Sequence, residues 1–333
     1  VRDTWMQPLT GGAATRVDDG ARADIDAPAP IADATGTRMA FLRNGDLFVR
    51  DLRTGALTQI TRTDAQEAQP QWTPAGGLVW RTGNDWFGWD AQRGTAQLAS
   101  LKAEDDPTRP PKADDLRERQ LRMIETLRVE RDRREELRSQ NEAWRRGDAT
   151  RAPGPVFLGK DVTIAGSALS PAGDRMIVVT TAKSGNAGQD GKMPRYVTES
   201  GYEEFEDVRT RVGRNDPLPH TLWLVDVASG QARELRTDSL PGIASDPLAD
   251  LRRAAGKDAL KGNRPVRLEV DGRGGGGGAI RWSDDGRNVA LSIHSVDNKD
   301  RWLATVDLAN ASLQSRDRLS DEAWINWDFN EFG

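Results

Sequence analysis

Few residues in this chain are able to do chemistry, and their spacing narrows what they do. Among 333 residues there are two histidines, His220 and His294, and no cysteine. A serine hydrolase needs a nucleophile activated by a histidine and an oriented carboxylate, its serine often on a Gly-x-Ser-x-Gly elbow. No Gly-x-Ser-x-Gly occurs. Both histidines sit inside or at the edge of strand-like phrases, where a lone imidazole is more often packed or hydrogen-bonded than catalytic. Two histidines without thiolates do not make a zinc site, and the carboxylate spacing supports no calcium or magnesium site, so no catalytic residue, metal or cofactor is expected. One segment stands out, PRYVTESGYEEFEDVRTRVGRNDP from Pro194 to Pro217. It alternates Glu199, Glu203, Glu204, Glu206, Asp207 and Asp216 with Tyr196, Tyr202 and Phe205. Carboxylates beside aromatic rings suit a cation such as a peptide's free amine, and an ordinary solvated loop has the same composition. The run DGRGGGGGAI, Asp271 to Ile280, opens a strand rather than a helix and lacks the Lys-Ser/Thr of a phosphate loop, so it reads as a flexible linker.

The elements that must position these residues are written as repeats. PIADATGTRMAFLR from Pro30, QPQWTPAGGLVWRT from Gln69, SALSPAGDRMIVVTT from Ser167 and AIRWSDDGRNVALSIHS from Ala279 each join two apolar runs through a Gly-bearing turn. A second phrase follows each: GDLFVRDLRTGALTQIT from Gly45, DWFGWDAQRGTAQLAS from Asp85, TLWLVDVASGQARELR from Thr221 and RWLATVDLANASLQSRD from Arg301. Each phrase is a hairpin, because glycine tolerates the positive φ that such turns require. Two hairpins make a four-stranded unit, and such units in tandem are the sign of a β-propeller. The fold class expected is therefore all-β, a partial propeller with blades at about 28–62, 68–100, 156–237 and 279–318, and the start of a further blade at 321–333. Nine of the eleven tryptophans fall in or beside these phrases and are expected to fill space between blades.

Three insertions interrupt the repeats, at about Leu101–Pro155, Ala182–Pro219 and Asp238–Gly278. The alternation of turns in an up-and-down blade places all three at one end of the disc, a candidate working face. Residues 113–147 of the first form a long helix or helical hairpin N-capped by Asp114, with Leu116, Met123, Ile124 and Leu127 as an apolar stripe that docks. Glu118/Arg122 and Glu130/Arg134 support it as i,i+4 pairs. It serves as a lid, a docking helix or a contact in a homo-oligomer.

Bulk composition sets the remaining limits. Hydrophobic residues are 36% and charged residues 30%, with no apolar run near the roughly 18 residues that cross a bilayer, so no membrane span is expected. The 47 basic and 52 acidic residues are mixed along the chain for a net charge of −5, which leaves no basic stripe for nucleic acid. Val1 is preceded by no leader, so a signal peptide is expected to be removed or not included.

The residues SPAGDRMIVVTT from Ser170, RTRVGRNDPLPHTLWLVDVASG from Arg209 and LSIHSVDNKDRWLATVDL from Leu291 give the chain a family likeness. It resembles the N-terminal propeller of the dipeptidyl peptidase IV-like branch of the prolyl oligopeptidase (S9) serine peptidases. The stretch Gly213–Pro217 separates this likeness from propellers of the TolB kind. The resemblance implies a periplasmic or secreted hydrolase of short peptides, with its Ser/Asp/His triad on an α/β-hydrolase domain beyond Gly333. That C-terminal remainder of the same protein would be the partner of this chain. In the family an arginine of an early blade contacts substrate, and WRTGNDWFGWD makes Arg81 the matching residue. The family's exopeptidases place a Glu pair before the Ser-Pro-x-Gly turn. Here no pair precedes Ser170, and Glu203–Glu204, after the turn, stands as its substitute. The alternative is a non-catalytic TolB- or WD40-like scaffold that binds a protein partner.

Overall fold

The computed structural model describes residues 4–18, 25–109, 115–148, 151–183, 190–198, 201–210, 218–258, 260–270 and 278–325. The chain divides into two compact units, Val1–Gln97 and Leu98–Gly333. The first unit opens with a short hairpin, β1 (Trp5–Met6) and β2 (Thr15–Arg16). Two antiparallel meanders follow. One is β3 (Ile31–Ala32), β4 (Arg38–Arg43), β5 (Asp46–Asp51) and β6 (Leu57–Gln59). The other is β7 (Glu67–Trp72), β8 (Leu78–Thr82), β9 (Asp85–Asp90) and β10 (Gly94–Lys102), whose last strand runs on into the second unit.

In the second unit the first insertion forms α1 (Asp115–Met123) and α2 (Glu125–Gly147), broken at Ile124, whose extended backbone (φ −116°, ψ 95°) cannot continue a helix. Strand β11 (Val156–Phe157) pairs in parallel with Leu101–Lys102 of β10, so it extends the second blade's sheet and not the third. The third blade is β12 (Val162–Leu169), β13 (Arg175–Ala182), β16 (His220–Asp226) and β17 (Gln231–Glu234). Between its middle strands stands a separate hairpin, β14 (Asp190–Arg195) and β15 (Glu204–Thr210). A short helix, α3 (Ala249–Ala254), precedes the fourth blade. In that blade β18 (Val266–Arg267) and β19 (Ile280–Trp282) both pair with β20 (Val289–Ser295), followed by β21 (Asp300–Asp307) and β22 (Ser312–Ser320). The inner position of this blade is thus shared by two pieces of chain. These four meanders are the blades of an all-β propeller fold.

The repeated phrases fold alike because each turn carries its own acceptor. Where the inner strand of a blade ends, a side-chain oxygen accepts backbone N–H groups of the turn. Asp33 takes those of Thr37 (2.8 Å) and Arg38 (3.1 Å), Thr73 that of Gly77 (2.9 Å), Ser170 those of Asp174 (3.3 Å) and Arg175 (3.2 Å), and Ser283 that of Asn288 (3.0 Å). At the end of the third strand Asp51, Asp90, Asp226 and Asp307 do the same for Thr54, Gln92, Ser229 and Ala309, at 2.8 to 3.0 Å. The middle hairpin of the first blade turns on Asn44 and Gly45, both at positive φ (54° and 91°), the pattern of a type I′ turn.

Alternating strand residues bury one face of each blade. In the first unit Ala40, Leu47 and Val49 pack with Leu78 and Trp80. In the second, Ile177, Val179, Leu222 and Leu224 meet Leu291, Ile293, Trp302 and Ala304, each such aliphatic side chain worth about 1.5–3 kcal/mol. Leu240 and Ile243, from the insertion before the fourth blade, belong to this core, so that insertion is not merely surface loop. Of the nine tryptophans in or beside the repeat phrases, Trp80, Trp86 and Trp302 are fully buried, Trp324 is exposed, and Trp327 lies outside the described residues.

Two expectations for the helical insertion change. Its stripe does not dock: Leu116, Met123, Ile124 and Leu127 are 63%, 84%, 46% and 40% exposed. The ion pairs seen within α2 are Arg128–Glu125 (3.7 Å), Arg131–Asp132 (3.0 Å) and Arg138–Glu142 (2.9 Å), while Arg134 Nε donates to the Glu130 carbonyl (3.4 Å). Asp114 lies outside the described residues, as do the side chains of Glu118 and Arg122.

Candidate functional site

Arg81 is the penultimate residue of strand β8, opposite Ala68 on one side and Trp86 on the other. It is half-buried, and its Nε has no hydrogen-bond partner. Burial pushes its pKa below the usual arginine value, and no neighbouring acid offsets that shift. Beside it, Glu67, Thr82 and Asp85 stand in one cross-strand row. The buried Glu67 carboxylate accepts hydroxyls from Thr63 (3.2 Å) and Thr82 (2.6 Å), and Asp85 Oδ1 is buried with no partner. A two-residue turn with Gly83 at φ 60° sets the register that aligns Thr82 with Asp85. Nothing in the repeat pattern announces this row, because Glu67 lies just before the phrase that begins at Gln69.

Glu203 precedes β15 and Glu204 opens it, in the second unit, while Arg81 belongs to the first. Both glutamates are exposed, and Glu204 stands opposite Arg195 in the hairpin register. Tyr196, Tyr202 and Phe205 are 75%, 80% and 62% exposed, so these rings line a surface hairpin and enclose nothing. Lys192 pairs with Asp207 at 3.7 Å. Glu199, Asp216 and the stretch Gly213–Pro217 lie outside the described residues, as do 271–277 of the glycine run.

The histidines are built into the third and fourth blades, His220 at the start of β16 and His294 in β20. His220 Nδ1 accepts the Leu268 N–H at 3.1 Å. His294 is 6% exposed and lies between Arg267 and Arg301 in the strand register. Burial, then the charges of Arg301 and Arg267, bring its pKa down to about 4. Among the described residues no group of three or more His, Asp or Glu side chains is placed to hold a metal, and no helix is long and apolar enough to cross a membrane.

A cleft of about 1460 Å³ lies between α2 and the third blade, lined by Arg138, Asn141 and Glu142 of the helix and by Phe157, Trp223 and Val227 opposite. It reaches the turn 227–230, which the alternation of turns had assigned to the end away from the insertions.

The blades and the sites they carry define a β-propeller protein. Among solved structures, the chain aligns over 88% of its length with a chain described as a candidate dipeptidyl aminopeptidase IV from Bacteroides ovatus, at 8% identity and a TM-score of 0.40. It aligns over 89% with dipeptidyl peptidase 4 of Porphyromonas gingivalis (10% identity, TM-score 0.43) and over 69% with a TolB-type protein of Agrobacterium tumefaciens (12%, 0.26). It spans 29% and 33% of the two peptidase chains, and 55% of the third. No protein-family model matches it, and no curated sequence is significantly similar.

Proposed function

We propose that this chain is the substrate-gating propeller portion of a serine peptidase of the prolyl oligopeptidase family, dipeptidyl peptidase IV-like branch. Its Ser/Asp/His triad would lie on polypeptide C-terminal to Gly333, and its substrates would be short peptides met in the periplasm or outside the cell. The observation that carries this reading is Arg81. A half-buried guanidinium whose Nε has no acceptor is ready for one, and a substrate carbonyl or carboxylate oxygen supplies it. Glu203 and Glu204 are the acceptors assigned to the substrate's free amine.

The chain is to be purified with and without the segment that follows Gly333 and assayed on Xaa-Pro and Xaa-Ala chromogenic peptides. Turnover is expected from the longer protein only, and Arg81→Leu in that protein should raise KM by about tenfold. Turnover by this chain alone overturns the reading. The second reading, a scaffold that binds a protein partner, draws on the exposed apolar side chains of α1 and α2 and is selected if no hydrolase sequence follows.

A further inference from the structure

The third strand of each of the four blades opens on a residue able to carry charge: Asp46 in β5, Asp85 in β9, His220 in β16 and Asp300 in β21. Three of them are tied into the fold. Asp46 accepts the Gln59 amide (3.3 Å), the Thr61 hydroxyl (3.4 Å) and the Thr63 backbone N–H (3.0 Å). Asp300 accepts from Arg264 and Arg318, and His220 Nδ1 accepts from the Leu268 N–H. Asp85 departs from the pattern, because its Oδ1 is buried and has no hydrogen-bond partner. A buried oxygen left in that state carries a desolvation cost that the other blades offset at this position.

A second carboxylate stands in the same row. Thr82 is the cross-strand partner of Glu67 on one side and of Asp85 on the other, so the three side chains share one face of the sheet. Glu67 is 6% exposed, and its oxygens are held by the hydroxyls of Thr63 and Thr82 rather than by a cation. Among the described residues no lysine or arginine pairs with either carboxylate. Two carboxylates on either side of one threonine repel each other, and burial removes the water that would weaken the repulsion. Buried charges are paired, so this row is completed by a cation that the fold itself does not provide.

The donor set narrows what that cation is. Two carboxylates fall short of the roughly six to eight oxygens that calcium takes, in keeping with the lack of a metal-holding group of three or more His, Asp or Glu among the described residues. A primary ammonium instead needs three acceptors for its three N–H groups. The row has them in Asp85 Oδ1, the free lone pairs of the Glu67 carboxylate and the Thr82 oxygen, whose own proton goes to Glu67 Oε2 (2.6 Å). Gly83 and Asn84, which join Thr82 to Asp85, are exposed, and Asp85 is half-buried, so a small cation reaches the row from the turn.

We propose that Glu67, Thr82 and Asp85 form a site for a primary ammonium group, carried by the free α-amine or a lysine side chain of a peptide. Arg81 and Thr82 are successive residues of β8 and lie on opposite faces of the sheet. The row is therefore separate from the contact assigned to Arg81, and the inference is independent of the peptidase reading.

The test uses the whole chain near neutral pH and isothermal titration calorimetry with methylammonium, tetramethylammonium, alanine amide and Nα-acetyl-lysine amide. Methylammonium is expected to bind at least about tenfold tighter than tetramethylammonium, which has the charge but no N–H to donate. The two amides present the same group as an α-amine and as a side chain, and the tighter of them names its source. Asp85→Asn should weaken methylammonium binding at least about tenfold, and Glu67→Gln should weaken it in the same direction. In the ligand-free chain Asp85→Asn should leave the urea midpoint unchanged or higher, since it removes a repulsion and no hydrogen bond at Oδ1. The proposal is overturned by no saturable binding of methylammonium below about 50 mM, by equal binding of tetramethylammonium, or by undiminished binding in Asp85→Asn. A lowered urea midpoint in Asp85→Asn also overturns it, because the carboxylate would then be held by the fold.

Discussion

Trp72 donates its indole N–H to the carbonyl of Ile31, on the inner strand of the preceding blade, at 3.0 Å. Trp282 makes the same bond to Ala168 at 3.1 Å. Each tryptophan stands one residue before the turn acceptor of its own blade, and each carbonyl two residues before that of its neighbour. The repeat thus encodes an inter-blade hydrogen bond as well as a strand pattern. Trp72→Phe and Trp282→Phe keep most of the ring and remove the donor, leaving a carbonyl unsatisfied between blades. Each should lower the unfolding free energy by about 1–2 kcal/mol in urea titrations. A loss under about 0.3 kcal/mol at both positions would show that the bond adds nothing.

Arg264 and Asp300 form an ion pair with side chains 3% and 2% exposed. Asp300 also accepts Arg318 Nε at 2.7 Å, and Arg264 reaches Asp297 (3.2 Å) and the Gly242 carbonyl (3.1 Å). Desolvation would raise the Asp300 pKa, but the hydrogen bonds from Arg318 and Arg264 hold it below the usual carboxylate value. Arg264→Met strands a buried carboxylate and should cost about 3 kcal/mol, the retained Arg318 keeping it from more. Arg264→Met with Asp300→Leu should recover most of that loss, because two apolar groups leave no buried charge. Equilibrium unfolding of the three proteins decides, and a double variant as unstable as the single one refutes the account.

What was legible in the sequence follows the same division. Ser170, Ser283, Asp226 and Asp307 announce their turns because a tight turn exposes N–H groups that a short polar side chain must satisfy. The division of the fourth blade's inner position between β18 and β19 was not legible, since register is a matter of partners and the two pieces lie apart in the chain. Leu240 and Ile243 sit in a segment with no periodicity, yet they fill the core between blades. The stripe of Leu116, Met123, Ile124 and Leu127 carries the period of a docked helix, and it is exposed. Period reports which face is apolar, not whether this chain covers it. Arg81 was singled out only through the family resemblance of the phrase around it. Its lack of an acceptor depends on residues distant in sequence.

Stability should depend on pH through His294. Burial and the charges of Arg301 and Arg267 lower its pKa from 6.5 to about 4. Below pH 6.5 the unfolded chain therefore binds a proton that the folded chain takes up only near pH 4. Stability is full above about pH 6.5 and falls as pH drops toward 4, by at most ~3 kcal/mol. The depressed carboxylates, such as Asp33 at about 2, lose their contribution below that window. Urea titrations across it should show the slope in the native chain and lose most of it in His294→Gln; an undiminished slope in the variant assigns the effect elsewhere.

Removal of Arg81 separates a binding role from a structural one. A buried cation kept for stability has a carboxylate or carbonyl to hold it, as Arg264 does. Arg264 also leaves its Nε unpaired, but both of its Nη groups are held by acceptors, whereas the Arg81 Nε has none and burial lowers its pKa without an opposing charge. Its burial therefore costs free energy that the fold recovers nowhere visible, the pattern of a group placed for a ligand. Arg81→Leu should leave stability unchanged or raise it by about 1 kcal/mol, whereas Arg264→Leu should lower it by about 3 kcal/mol. Both are read from urea midpoints at constant m-value. A loss above about 1 kcal/mol in Arg81→Leu would mean that the guanidinium is held by the fold, and the argument from its missing acceptor to a substrate oxygen would fail.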